Sequence, residues 1–203
     1  MDETAAVPAR KRPKPGERRV QILQALATML EQPGAERVTT AALAARLEVS
    51  EAALYRHFAS KAQMFEGLIE FIEHTAFALL NQIVPLGASA PAASADTGVR
   101  QAGRVVGVLL QFAEKNPGMA RVMVGDALVF ENERLQQRMN QFFDRVESTL
   151  RQCLRAAAQS AGSDAPSMDA QVRAAVLAGL VMGRLERSTR AGFRRLPSEH
   201  MDA

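Results

Sequence analysis

Tyr55, the only tyrosine of the chain, is followed directly by Arg56 and His57 in "VSEAALYRHFASK", residues 49–61. Phenol, guanidinium and imidazole in a row supply hydrogen-bonding tips of the kind that meet sugar–phosphate oxygens. Ser50, Glu51 and Ala53 come just before them. Small residues there let a helix N-terminus come close to base edges and phosphates, and the helix dipole favours negative charge at that end. Leu54 and Phe58 interrupt the polar set at the spacing of an apolar helix face. The stretch reads as a short helix with one half built to pack and the other built to meet a duplex.

Other chemistry finds little support. There is no metal-ligand spacing, no nucleotide-binding loop and no nucleophile beside a base, so the sequence predicts no enzyme and no cofactor. His74 and His200 are isolated, and Cys153 falls on an apolar helical stripe and reads as core. A single cysteine excludes an intramolecular disulfide and fits a reducing compartment, so the expected location is the cytoplasm. The apolar runs are short and broken by charge, which predicts no membrane span, and no apolar run follows the basic N-terminus to make it a signal peptide.

Charge is distributed unevenly. Residues 1–61 hold ten Lys or Arg against seven Asp or Glu, whereas the remainder balances at fifteen against fifteen. Arg10, Lys11, Arg12, Lys14, Arg18 and Arg19 are opposed locally by Glu17 alone. Such a cluster suits an arm drawn to polyanions, although on its own it equally suits a solubilising tail.

The elements that position these groups are all helical. Residues 1–16 read as a disordered basic arm. A first helix runs from about Glu17 to Glu31 with Val20, Leu23, Ala27 and Leu30 inward, and Pro33 and Gly34 end it. Thr39 or Thr40 caps a second helix, Ser50 a third over residues 51–58, and Ser60 a fourth whose inner face reads Met64, Leu68, Ile72 and Leu79. A small-residue loop follows over 84–98. Further helices are predicted from Val99 to Lys115, over about 118–129, through the amphipathic run that starts near Glu131, and from Asp169 to about Arg190. No segment alternates like a strand. The predicted domains are a helix-turn-helix unit over 17–61, a helical body over 62–195 and a tail over 196–203.

Helices two and three are joined by about three residues, the spacing of a helix-turn-helix. Ala44, Leu47, Val49, Leu54 and Phe58 form its small shared core. Thr39, Thr40, Ser50, Glu51, Ala53, Tyr55, Arg56 and His57 are left for DNA, with Lys61 adding charge at the next helix's start and Arg10, Lys11 and Arg12 on the arm. The competing reading is an ordinary helical hairpin with Tyr55 and His57 half-buried. Turn length, caps, periodicity and the basic arm together favour DNA.

At this point "TTAALAARLEVSEAALYRHFASKAQMFEGL" resembles the N-terminal domain of TetR-type transcriptional regulators. Glu48 stands where that family usually has glycine, and Ala52 where glycine or proline is common. Together with "LIEFIE", "EKNPG" and "GDALVFENERLQQRMNQFFDRVESTLRQCLR", the stretch is similar to the nucleoid-occlusion branch of the family, over residues 17–155 and more loosely beyond. That resemblance implies a nucleoid-associated homodimer on palindromic sites in double-stranded DNA. The resemblance further implies that on DNA such a dimer captures the C-terminal tail of the division protein FtsZ and antagonises Z-ring assembly. It also implies a tail groove between helices four and five, at Phe71, Val108, Gln111, Lys115 and Asn116. Leu79 departs from it, a basic residue being expected there.

The long helix and the last helix each show an apolar side wider than one partner covers. Leu135, Met139, Phe142 and Val146 on the former, and Ala175, Gly179 and Gly183 on the latter, predict a four-helix dimer interface. A ligand-responsive repressor is the alternative function, and its discriminator is a polar, aromatic-lined pocket in the body. A DNA-compacting protein without site preference is a third, marked by a steep salt slope with no selectivity.

Overall fold

A computed structural model describes residues 16–32, 38–84 and 95–201. The basic arm residues Arg10, Lys11 and Arg12, and the expected breakers Pro33 and Gly34, lie outside the described residues. The order of helices is α1 (Glu17–Leu30), α2 (Thr40–Arg46), α3 (Glu51–Tyr55), α4 (Lys61–Ile83), α5 (Ala95–Lys115), α6 (Pro117–Met123), α7 (Glu133–Ser160) and α8 (Pro166–Arg190), with a 3-10 turn at Asp126–Leu128. No strand occurs among the described residues.

Helices α2, α3 and α4 are each started by a residue predicted to cap them. Thr39 Oγ1 accepts from the Ala42 amide at 3.1 Å, Ser50 Oγ from Ala53 at 3.3 Å, and Ser60 Oγ from Gln63 at 3.2 Å. Each bond satisfies an amide that the helix itself leaves without a partner. Helix α3 is shorter than predicted. The amides of His57 and Phe58 both reach back to the Leu54 carbonyl, so the chain turns out of the helix after Tyr55.

Two inward faces depart from the predicted ones at one position each. In α1 Ala27 and Leu30 are buried and Leu23 packs at the edge as predicted, but Ile22 and Leu26 complete the row and Val20 is 53% exposed. In α4 the row continues through Ala76 and Leu80, which turns Leu79 outward. Helix α4 spans the junction of the two predicted domains. It packs on α1 at one end and on α5, α6 and α7 along the body.

Helices α7 and α8 form the most extensive pair of the fold. The predicted tail is not loose through residue 201. Arg184 Nη1 donates to the carbonyls of Pro197 at 3.1 Å and Glu199 at 2.5 Å, and Met201 packs on the core. Ser198 Oγ also donates to the Glu114 carboxylate on α5.

Candidate nucleic-acid interface and partner groove

The turn of the helix-turn-helix is a left-handed helix stop. Glu48 adopts φ 54°, its amide bonds to the Ala45 carbonyl at 3.1 Å, and the Val49 amide bonds to Ala44 at 3.0 Å. This is the paired hydrogen-bond pattern that glycine usually closes, as Gly162 and Gly192 do after α7 and α8 at φ 75° and 60°. Glutamate carries a Cβ into that conformation at a cost of about 1–2 kcal/mol. The turn holds its shape because Ala44, Leu54 and Phe58 are buried beneath it, with Leu47 and Val49 packed at the edge.

That core leaves the polar half of α3 in water. Ser50, Glu51, Tyr55, Arg56 and His57 are exposed, Tyr55 by 45%, and Ala53 and Thr40 are partly so. Tyr55 is therefore not a core residue, and the half-buried hairpin reading fails for it. Thr40 Oγ1 donates to Glu51 Oε2 at 2.5 Å, which ties the starts of α2 and α3 together. Arg19 adds a brace that sequence patterning did not single out. Its Nη1 donates to the His57 carbonyl at 2.9 Å while its guanidinium stacks 4.1 Å over the Phe58 ring. The basic cluster signalled a charge here; that it folds back to hold the end of α3 depends on the packing of α1.

Lys61 corrects one expectation. Its ammonium lies 2.5 Å from Glu131, a carboxylate only 10% exposed, rather than standing free for a phosphate. It begins a ladder of ion pairs between α4 and the start of α7, continued by Glu66 with Arg134 and by Glu73 with Arg138 at 2.6 Å. The Glu73 hydrogen bond is the main reason that the Arg138 pKa is raised.

The residues of the implied tail groove sit on α4 and α5. Phe71 is 48% exposed on α4, a large apolar ring turned to solvent. On α5, Gln111 and Lys115 are exposed and Val108 half-buried, and just beyond it the half-buried Asn116 donates through Nδ2 to the Phe112 carbonyl at 2.7 Å. The core behind them is Val105, Val106, Leu109 and Leu110.

The residues of the expected dimer face divide between the core and the surface. Leu135, Met139, Phe142 and Val146 are buried within the single chain, Phe142 stacking edge-on with Phe77 and Phe143. They are core residues and cannot meet a partner; the α7 stripe is wide because α5 and α8 both cover it. Ala175, Gly179 and Gly183 are exposed, and a Cβ built on either glycine meets nothing in the chain. Beside them Val172, Val176 and Leu180 are also exposed, by 56%, 65% and 40%. Their four-residue spacing was readable in the sequence, but the small-residue row alone drew notice. Cys153 lies inside the core, where burial pushes its thiol up to about 11. Among the described residues no cluster of potential metal ligands occurs.

A capped helix-turn-helix on a helical body that leaves an apolar helix face open defines a TetR-type DNA-binding regulator, a class of regulators and not of enzymes. The pattern of bacterial regulatory proteins of the tetR family matches residues 22–68, and that of the SlmA-like tetracyclin repressor-like C-terminal domain matches residues 96–203. The nucleoid occlusion factor SlmA of Vibrio cholerae serotype O1 is 50% identical over 186 residues, covering 91% of this chain and 90% of the relative. SlmA of Photobacterium profundum matches at the same 50% over 186 residues, with coverage of 91% and 90%. Among solved structures, a TetR-like transcriptional regulator from Rhodococcus sp. RHA1 superposes with a TM-score of 0.70 at 18% identity, over 95% of this chain and 94% of that one, which is a likeness of fold. The chain belongs to the SlmA family of nucleoid occlusion factors.

Proposed function

We propose that the chain acts as a DNA-activated inhibitor of cell division, associated with the nucleoid. A homodimer reads palindromic duplex sites through α3, and on DNA it binds the C-terminal tail of FtsZ across α4 and α5, opposing Z-ring assembly there. The observation that carries this reading is the 50% identity to a nucleoid occlusion factor along 91% of the chain, DNA-reading unit and body alike. The exposed Tyr55, Arg56 and His57 support the first step. Phe71 and Lys115 support the second, as an apolar anchor and a cation for an acidic segment laid between two helices.

Dimerisation uses the outward face of α8. Its Val172, Val176 and Leu180, with the bare backbone at Gly179 and Gly183, offer apolar area and room for close approach by a second copy. Two-fold symmetry then places two α3 helices for two half-sites.

The test is sedimentation of FtsZ polymers with the protein, with and without genomic fragments that it selects. Polymer loss that requires those fragments is expected. A protein that selects fragments but leaves polymers intact with or without them is a conventional repressor.

A further inference from the structure

Helices α4 and α5 lie antiparallel along the groove. Gln101 Nε2 on α5 donates to the Ile83 carbonyl at the end of α4 at 3.4 Å. At the other end, α6 follows Lys115 and packs on α1 at Ala27, while α1 touches Gly67 of α4 through Leu23. Gln101, Arg104, Val108, Gln111 and Lys115 recur at three- and four-residue spacing, so they form one stripe along α5. Val108 is half-buried at its middle, and Arg104, Gln111 and Lys115 are exposed. On α4, Leu79 is exposed about one turn before Ile83, and Phe71 about two turns further back.

Arg104 brings a second cation to this stripe. Its neighbour Arg100 is taken by Asp96 at 2.6 Å, one turn earlier on the same helix. Among the described residues the ion pairs engage neither Arg104 nor Lys115. The two cations stand eleven residues apart, about 16 Å along the helix axis, and point the same way because that spacing is close to three whole turns. An extended peptide rises about 3.3 Å per residue, so about five residues span the distance. The apolar contacts fall between the charges, with Leu79 towards Arg104, Phe71 towards Lys115 and Val108 midway.

We propose that the groove is a two-point clamp, in which Arg104 binds a second acidic group of the occupant, about five residues from the one at Lys115. The occupant is then an extended segment with two carboxylates and apolar residues between them. A guanidinium meets a carboxylate with a planar fork of donors, which fixes direction as well as charge. A segment with one acid, or with two side by side, engages one cation and leaves the other unmet. The inference rests on the reading that this groove takes the FtsZ tail, and it adds a second charge requirement to that reading.

The experiment is anisotropy of a labelled FtsZ tail peptide, at fixed salt, on the full chain saturated with a duplex that it selects from random-sequence DNA. Peptides with each acidic residue changed in turn to its amide are measured on the wild type, Arg104→Ala and Lys115→Ala. Arg104→Ala should weaken the unchanged peptide by about two- to fivefold, the worth of an exposed ion pair. Arg104→Glu should weaken it by about tenfold, because reversal adds repulsion. One amide peptide should lose affinity on the wild type and on Lys115→Ala but not on Arg104→Ala. A second, changed about five positions away, should lose affinity on the wild type and on Arg104→Ala but not on Lys115→Ala. Thermal melting and duplex affinity of Arg104→Glu should match the wild type, since the side chain is exposed and outside the DNA-reading unit. Unchanged tail binding by Arg104→Glu, with binding lost in Lys115→Asp, overturns the clamp and keeps the groove. Amide costs that are the same on Arg104→Ala as on the wild type also overturn the clamp. No tail binding by the wild type overturns both.

Discussion

Helices α3 and α8 both leave a face in water, and the two faces are chemically opposite. On α3 and the turn that ends it the exposed set is Glu51, Tyr55, Arg56 and His57, polar tips over a buried Leu54. On α8 it is Val172, Val176 and Leu180 with two bare glycines, over a buried Ala174, Ala178, Val181 and Leu185. A polar face on so short a helix suits a wet, charged partner, where phosphate contacts fix position and base edges are read. An apolar face along a long helix suits a dry one, such as the same face of a second copy. One chain thus carries two kinds of surface, and on the proposed reading the difference between them separates DNA reading from assembly.

The largest effect is expected where that apolar face receives a charge. Val176→Asp leaves the chain's own fold intact, because Val176 is 65% exposed. In a dimer its carboxylate is buried without a partner, at a cost of about 3–5 kcal/mol. Analytical ultracentrifugation should show monomers, and affinity for a palindromic duplex should fall by at least a hundredfold, while thermal melting at low concentration stays near that of wild-type monomer. A dimer that persists would move the interface elsewhere.

Next come the two sides of α3. Leu54→Ala should destabilise the protein by about 2–5 kcal/mol, since it empties a buried position under the turn. Tyr55→Ala, one residue on, should change stability by no more than about 0.5 kcal/mol. Its deficit should appear in DNA affinity instead. Denaturant melts and duplex titrations measure both, and equal stability losses would erase the contrast between the faces.

Much of this division was legible in the sequence. The caps at Thr39, Ser50 and Ser60, the spacing of Leu54 and Phe58, and the outward set on α3 follow from local hydrogen bonding and helical periodicity. What failed depended on neighbours. The stripe of Leu135, Met139, Phe142 and Val146 looked wide enough to need a second chain, because sequence periodicity counts apolar positions but not how many helices cover them. Lys61 looked free because Glu131, its partner, is distant in sequence. Arg19 carried no periodic signal, since its contact is with a backbone carbonyl. In α1 and α4 the inward faces were off by one or two positions, at Val20 and Leu79, where several apolar residues compete for the same rows.

The smallest effect concerns the turn that aims α3. Glu48→Gly should stabilise the protein by about 1 kcal/mol, relieving a left-handed residue, less the extra backbone freedom that glycine gains when unfolded. DNA affinity should be unchanged if the turn already holds α3 correctly. A destabilised variant would mean that contacts of the Glu48 side chain outweigh its backbone strain.

The most direct test of the account is the binding of a fluorescently labelled FtsZ tail peptide, followed by anisotropy, to protein saturated with a duplex that it selects. The account predicts binding that depends on the duplex and is lost in both Lys115→Asp and Phe71→Ala, with duplex affinity near wild type in each. Lys115→Asp fails by repelling acidic groups, and Phe71→Ala by removing the apolar anchor. No tail binding by the wild type on its duplex, or undiminished binding by both variants, contradicts it.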